Sequence, residues 1–172
     1  MGNLAVGKTS LIRRYVFDQF SDRYKGTIGA KVSKKEIEVT DPQTKEPVNV
    51  QFLIWDITGH QSLRRLLQQA YFSGAQGIIG VCDTTREETL SDLEKWLENI
   101  QDFTSNISTV LLGNKCDLVD IQNISLNELK NTASGYEKSM AYLSSAKTGF
   151  NVELAFKTLG EKILEDVILS EF

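Results

Sequence analysis

Three apolar runs with almost no polar alternation constrain this chain more than any other feature: Phe52-Leu53-Ile54-Trp55, Gly77-Ile78-Ile79-Gly80-Val81-Cys82 and Thr109-Val110-Leu111-Leu112. Such short apolar runs suit strands covered on both faces. Other segments follow a different period. Leu90, Leu93, Leu97 and Ile100, and later Val152, Ala155, Phe156, Leu159, Ile163 and Val167, recur every three or four residues and predict one-sided helices. Thr85 with Glu88, and Ser125 with Glu128, have the capping-box spacing and predict helix starts just beyond apolar strands. Strands alternating with helices imply a parallel sheet. One stretch departs from that rhythm, because residues 31–40 and 48–55 both look strand-like and are joined only by the polar, proline-bearing residues 41–47. A link of that kind predicts an antiparallel hairpin. With 172 residues, 41% of them hydrophobic, and no repeat or linker in view, the expected architecture is one α/β domain over 1–172. It is a three-layer sandwich with a mostly parallel sheet and one antiparallel hairpin strand.

Charge removes several function classes. Nineteen Lys and Arg against 23 Asp and Glu leave a net charge of -4, without the basic excess that would bind nucleic acid or an anionic bilayer. The two cysteines, Cys82 and Cys116, imply no disulfide framework and suit a reducing, cytoplasmic setting. No run approaches the ~18 apolar residues of a membrane span. Val6 stands where an N-myristoylation motif needs Ser or Thr, and no Cys lies near Phe172 to carry a prenyl group, so no intrinsic membrane anchor is expected.

Gly2-Asn3-Leu4-Ala5-Val6-Gly7-Lys8-Thr9 satisfies the phosphate-loop pattern of two glycines five apart followed by Lys and Thr. In such a loop successive backbone N–H groups, here from Ala5 to Ser10, form an anion nest at the start of a helix. Lys8 reaches the outer phosphates and the Thr9 hydroxyl ligates Mg2+. Asp56-Ile57-Thr58-Gly59 ends the strand from Phe52, placing a carboxylate where a magnesium-side Asp would stand. Gly59 adds an unhindered N–H able to approach a terminal phosphate. Asn114-Lys115-Cys116-Asp117 offers a carboxylate suited to the two N–H donors of a guanine edge, a pair that adenine lacks. Ser145-Ala146-Lys147 follows the strand-like Met140-Ala141-Tyr142-Leu143 and could present a backbone N–H to the base oxygen.

These elements, in this order, resemble the Ras superfamily of small GTPases, a P-loop NTPase fold, and the surrounding residues are most similar to its Rab branch. Tyr24-Lys25-Gly26-Thr27-Ile28-Gly29 is similar to the Rab first switch, Trp55-Asp56 to the entry of the second, and Tyr71-Phe72-Ser73-Gly74-Ala75 to the segment before the next strand. The resemblance covers essentially the whole chain. It implies GTP or GDP with Mg2+, Thr27 completing the magnesium shell, and Phe20 against the guanine ring. It also implies an effector, an exchange factor and a GTPase-activating protein as partners, with the two switches clamping the γ-phosphate through Thr27 and Gly59. Val32, Trp55 and Tyr71 stand where Rab proteins carry apolar effector contacts, although a packing role serves them equally well.

Three departures bear on activity. The family has an apolar strand immediately before the phosphate loop, whereas only Met1 precedes Gly2. The expected domain therefore lacks that strand and leaves two neighbouring edges unpaired, whether the chain's start was placed too late or the domain is truncated. Leu4 and Ala5 replace glycines of Ras itself, and the bulk of Leu4 points to slow hydrolysis. His60 follows Gly59 where most relatives have the water-orienting Gln, and Gln61 comes one place later. Either side chain could position the attacking water, or neither could act. The sequence thus predicts a slow, magnesium-dependent GTP-hydrolysing switch with His60, Gln61 and Lys8 as catalytic candidates. The alternative is a GTPase-fold interaction module that performs no chemistry.

Overall fold

The computed structural model describes residues 1–23, 26–59, 72, 74–101 and 107–170. In chain order the elements are α1 (Lys8–Phe17), β1 (Ala30–Thr40), β2 (Pro47–Ile57), β3 (Gly77–Asp83), α2 (Glu88–Gln101), β4 (Ser108–Asn114), α3 (Leu126–Ser134), β5 (Ser139–Leu143) and α4 (Val152–Ser170). Strands β3, β4 and β5 form a parallel sheet in that order, with every β4 residue buried at its centre. Helices cover both faces. Leu93, Trp96 and Leu97 of α2 and Leu129 of α3 pack on one side with Ile78 and Leu111. Leu11 and Tyr15 of α1 and Val152, Phe156 and Leu159 of α4 pack on the other with Val81 and Leu112. The expected α/β three-layer arrangement is therefore observed.

The antiparallel hairpin is also present, from Ala30 opposite Ile57 to Thr40 opposite Pro47. Asp41 Oδ1 accepts from the backbone N–H groups of Gln43 and Thr44 and closes its turn. The hairpin forms a separate two-stranded sheet, with no backbone pairing to β3 among the described residues. Between β2 and β3 lies an apolar cleft of about 460 Å³, and Met1 stands in it. Val81 donates to the Met1 carbonyl at 2.9 Å, and the Met1 amine donates to Ile79 O at 2.5 Å, so one residue bridges to β3 as a strand would. Burial pushes that amine down to about 5, helped by the nearby Lys8 and opposed by Asp56.

Two sequence expectations are corrected. The run Phe52-Leu53-Ile54-Trp55 is not covered on both faces: β2 alternates, with Leu53 60% and Trp55 51% exposed. The outer face of the hairpin meets solvent, whereas Phe52 and Ile54 turn towards α1 and α4. Thr85 does not cap α2, because its hydroxyl donates to Asp83 Oδ1 at 2.8 Å. The box at Ser125 forms as expected, with Glu128 N donating to Ser125 Oγ and the Glu128 carboxylate accepting from Ser125 N.

Candidate functional site: the cleft beside the phosphate loop

The loop from Gly2 to Gly7 runs directly into α1, so that helix presents its N-terminal N–H groups to whatever the loop encloses. Two glycines are dictated by close approach. A Cβ on Gly2, which has φ +133°, would lie 2.1 Å from Val81 O, and one on Gly59 would lie 2.6 Å from the Asn3 carbonyl carbon. The Gly59 backbone thus abuts the phosphate loop. Lys8 Nζ crosses the loop and donates to Gly2 O at 2.9 Å and to Asn3 O at 2.7 Å. Burial pushes its ammonium down to about 8, against the opposing attraction of Asp56.

Behind Lys8, three oxygen-bearing side chains converge from three separate segments. Thr9 Oγ1 donates to Asp56 Oδ2 at 2.6 Å and lies 2.8 Å from Thr27 Oγ1. Asp56 is 3% exposed, and its Oδ1 is buried with no hydrogen-bond partner among the described residues. A buried carboxylate oxygen without a donor, next to two hydroxyls, fits a hard divalent cation. Magnesium uses one or two carboxylates and completes its shell with water and phosphate. Among the described residues no group of three or more His, Cys, Asp or Glu gathers into an all-protein cage. Thr9, Thr27 and Asp56 are the residues that would hold Mg2+.

The loop opens into a cavity of about 380 Å³, within the range of small-molecule sites. Its wall brings together Ala5, Gly7, Lys8, Thr9 and Ser10 from the loop and α1, Thr27 and Gly59 from the two flanks of the hairpin, and Phe20 beyond the end of α1. Asn114, Lys115, Asp117, Ala146 and Lys147 line its far end. Leu4 also lines the cavity.

Three predicted residues stand behind the wall. Val6 is fully buried in the core beneath α1, Asp56 sits behind Thr9, and Ser145 is buried with its hydroxyl donating to Asp117 Oδ1 at 2.6 Å. Asn114 lines the cavity but spends its amide on the protein. Its Nδ2 donates to Val6 O at 2.9 Å and its Oδ1 accepts from Ala146 N at 3.1 Å, fastening the phosphate loop to the 145–147 loop. His60, Gln61 and Tyr71 lie outside the described residues.

Sequence reasoning missed three residues that brace this cavity. Arg14 donates through Nε to Ala146 O at 3.0 Å and through Nη2 to Lys147 O at 2.8 Å, holding the 145–147 loop against α1. Asp83 ends β3 opposite Asn114 and accepts from Lys115 Nζ and Arg86 Nε. Arg86 Nη2 donates to Leu4 O at 2.9 Å. One available signal was that Asp83 and Asn114 both end parallel apolar strands, where open α/β sheets place their ligands.

Comparison with known proteins agrees with this geometry. The model of the family described as "Ras family" matches residues 1–165. "Ras-related protein Rab-1" of Theileria annulata is 34% identical over 97% of this chain and 73% of its own length. "Ras-related protein Rab-2B" of Dictyostelium discoideum is 35% identical over 96% of this chain and 78% of its own. "Ras-related protein Rab-8B" of Bos taurus is 34% identical over 95% of this chain and 76% of its own. A family match over nearly the whole chain, these Rab-named relatives, and a phosphate loop facing the Asn114–Asp117 motif across one cavity lead to a single assignment: the chain belongs to the Ras family of small GTPases and is Rab-like.

Proposed function

We propose that this small GTPase is a GDP/GTP switch that holds guanine nucleotide with Mg2+, hydrolyses GTP slowly and governs a protein partner through its nucleotide state. The observation that carries the reading is the convergence, on one cavity of about 380 Å³, of a phosphate loop, Thr27, Gly59 and the Asn114–Asp117 motif from distant parts of the sequence. The loop N–H groups and Lys8 meet the phosphates, and Asp117, oriented by Ser145, accepts from the guanine edge. Bound Mg2+ would neutralise charge developing on the phosphates. Hydrolysis adds water to the γ-phosphorus and releases phosphate, leaving GDP, with His60 or Gln61 orienting that water. Leu4, at the cavity wall, crowds the same approach and slows the step.

The partner surface is the solvent face of the hairpin beside the first switch. Val32 lies opposite Trp55, and both are about half exposed, with Leu53 and Ile28 adding further apolar area. Loss of the γ-phosphate releases Thr27 and Gly59, which flank this face in sequence.

Denaturing the purified chain and identifying the released nucleotide by chromatography tests the reading. Stoichiometric GDP or GTP supports it, and a chain that neither retains nor takes up guanine nucleotide with Mg2+ refutes it. His60→Ala is expected to lower the single-turnover hydrolysis rate by about 10²-fold while GDP affinity holds. An unchanged rate would assign the water to another group.

A further inference from the structure

Asp83 is a 1% exposed carboxylate that none of the steps above uses. A buried carboxylate is costly unless paired and hydrogen-bonded, and this one is paired twice. Its Oδ2 accepts from Lys115 Nζ at 2.5 Å and from Arg86 Nε at 3.2 Å, while Oδ1 accepts from the Thr85 backbone N–H at 3.1 Å and the Thr85 hydroxyl at 2.8 Å. Burial opposes the charge, yet the hydrogen bonds from Lys115 and Thr85 outweigh it and hold the carboxyl below its usual range.

Each cation partner has a second attachment. Lys115 lines the base end of the nucleotide cavity. Arg86 sends its other arm to Leu4 O in the phosphate loop, 82 positions away in sequence. Arg86 itself does not line the cavity, so it acts through its neighbours. We infer that Asp83 and Arg86 form a positioning link that ties the phosphate loop to the base motif and so sets how long the bound nucleotide stays. Just ahead of the loop, Met1 is hydrogen-bonded to Ile79 and Val81 of β3. Asn3 Nδ2, bonded to Asp92 Oδ2 at 2.7 Å, and Arg86 hold the loop from the α2 side.

The inference rests on the guanine-nucleotide reading, and release of a fluorescent GDP analogue with Mg2+ present tests both separately. Arg86→Ala is expected to speed release about tenfold, the effect of losing one charge-assisted bond to Leu4 O. Arg86→Lys restores the pairing with Asp83, and with it the melting temperature, but a single ammonium cannot reproduce the two-armed geometry. Its release rate should stay within about threefold of Arg86→Ala. Asp83→Asn should speed release as well, and adding Arg86→Ala to it should change the rate by less than about twofold, because both act along one link. Release at the wild-type rate in Arg86→Ala or in Arg86→Lys, or independent effects of the two sites, would overturn the link alone. A wild-type chain that binds no GDP analogue would instead overturn the reading beneath it.

Discussion

Asp117 sits just beyond the end of β4 and takes its orientation from Ser145, whose hydroxyl reaches Oδ1 at 2.6 Å. On the proposed reading, a carboxylate held in this way would discriminate by what it leaves unpaired, since a guanine edge supplies two donors and an adenine edge does not. Asp117→Ala should reduce the preference for GTP over ATP by at least about a hundredfold, read from competition binding.

At the scale of elements, α3 depends on its capping box and the hairpin depends on what lies under it. Ser125→Ala removes the acceptor for Glu128 N and should cost about 1 kcal/mol, a fall in melting temperature of about 2–4 °C for a domain of this size. Under the hairpin, a Cβ on Gly160 of α4 would lie 3.1 Å from Ile37, Val39 and Phe52 side-chain atoms. Gly160→Leu should therefore lift the hairpin off α4 at a cost of about 1–3 kcal/mol, seen as greater hairpin amide exchange. Strand and helix identity was legible in the sequence because periodicity reports burial, and the Ser125 cap because its partner is three residues away. The outer face of β2 was misread, since an apolar Leu53 and Trp55 on a solvent-facing strand look the same in sequence as a covered pair. Thr85 was misread because Asp83, two residues earlier, competes for its hydroxyl. Most cavity-lining residues were legible through their motifs. Arg14 and Arg86 were not, because they act on backbone carbonyls 132, 133 and 82 positions away and carry no motif of their own.

For the molecule as a whole, the division into two sheets governs behaviour. The phosphate loop and base motif belong to the β3–β5 unit, whereas Thr27 lies just before the hairpin and Asp56 and Gly59 at its end. No backbone ladder joins the units among the described residues, so side-chain packing and the Thr9 contacts to Asp56 and Thr27 hold them together at the site. On the proposed reading, a nucleotide with its cation would span the seam between the units and fasten them from the outside, where no backbone ladder joins them among the described residues. Amides of β1 and β2 should then exchange through an opening that leaves β3, β4 and β5 protected, and saturating GDP with Mg2+ should slow the hairpin alone. On that reading, losing the nucleotide and letting go of the hairpin would be the same event.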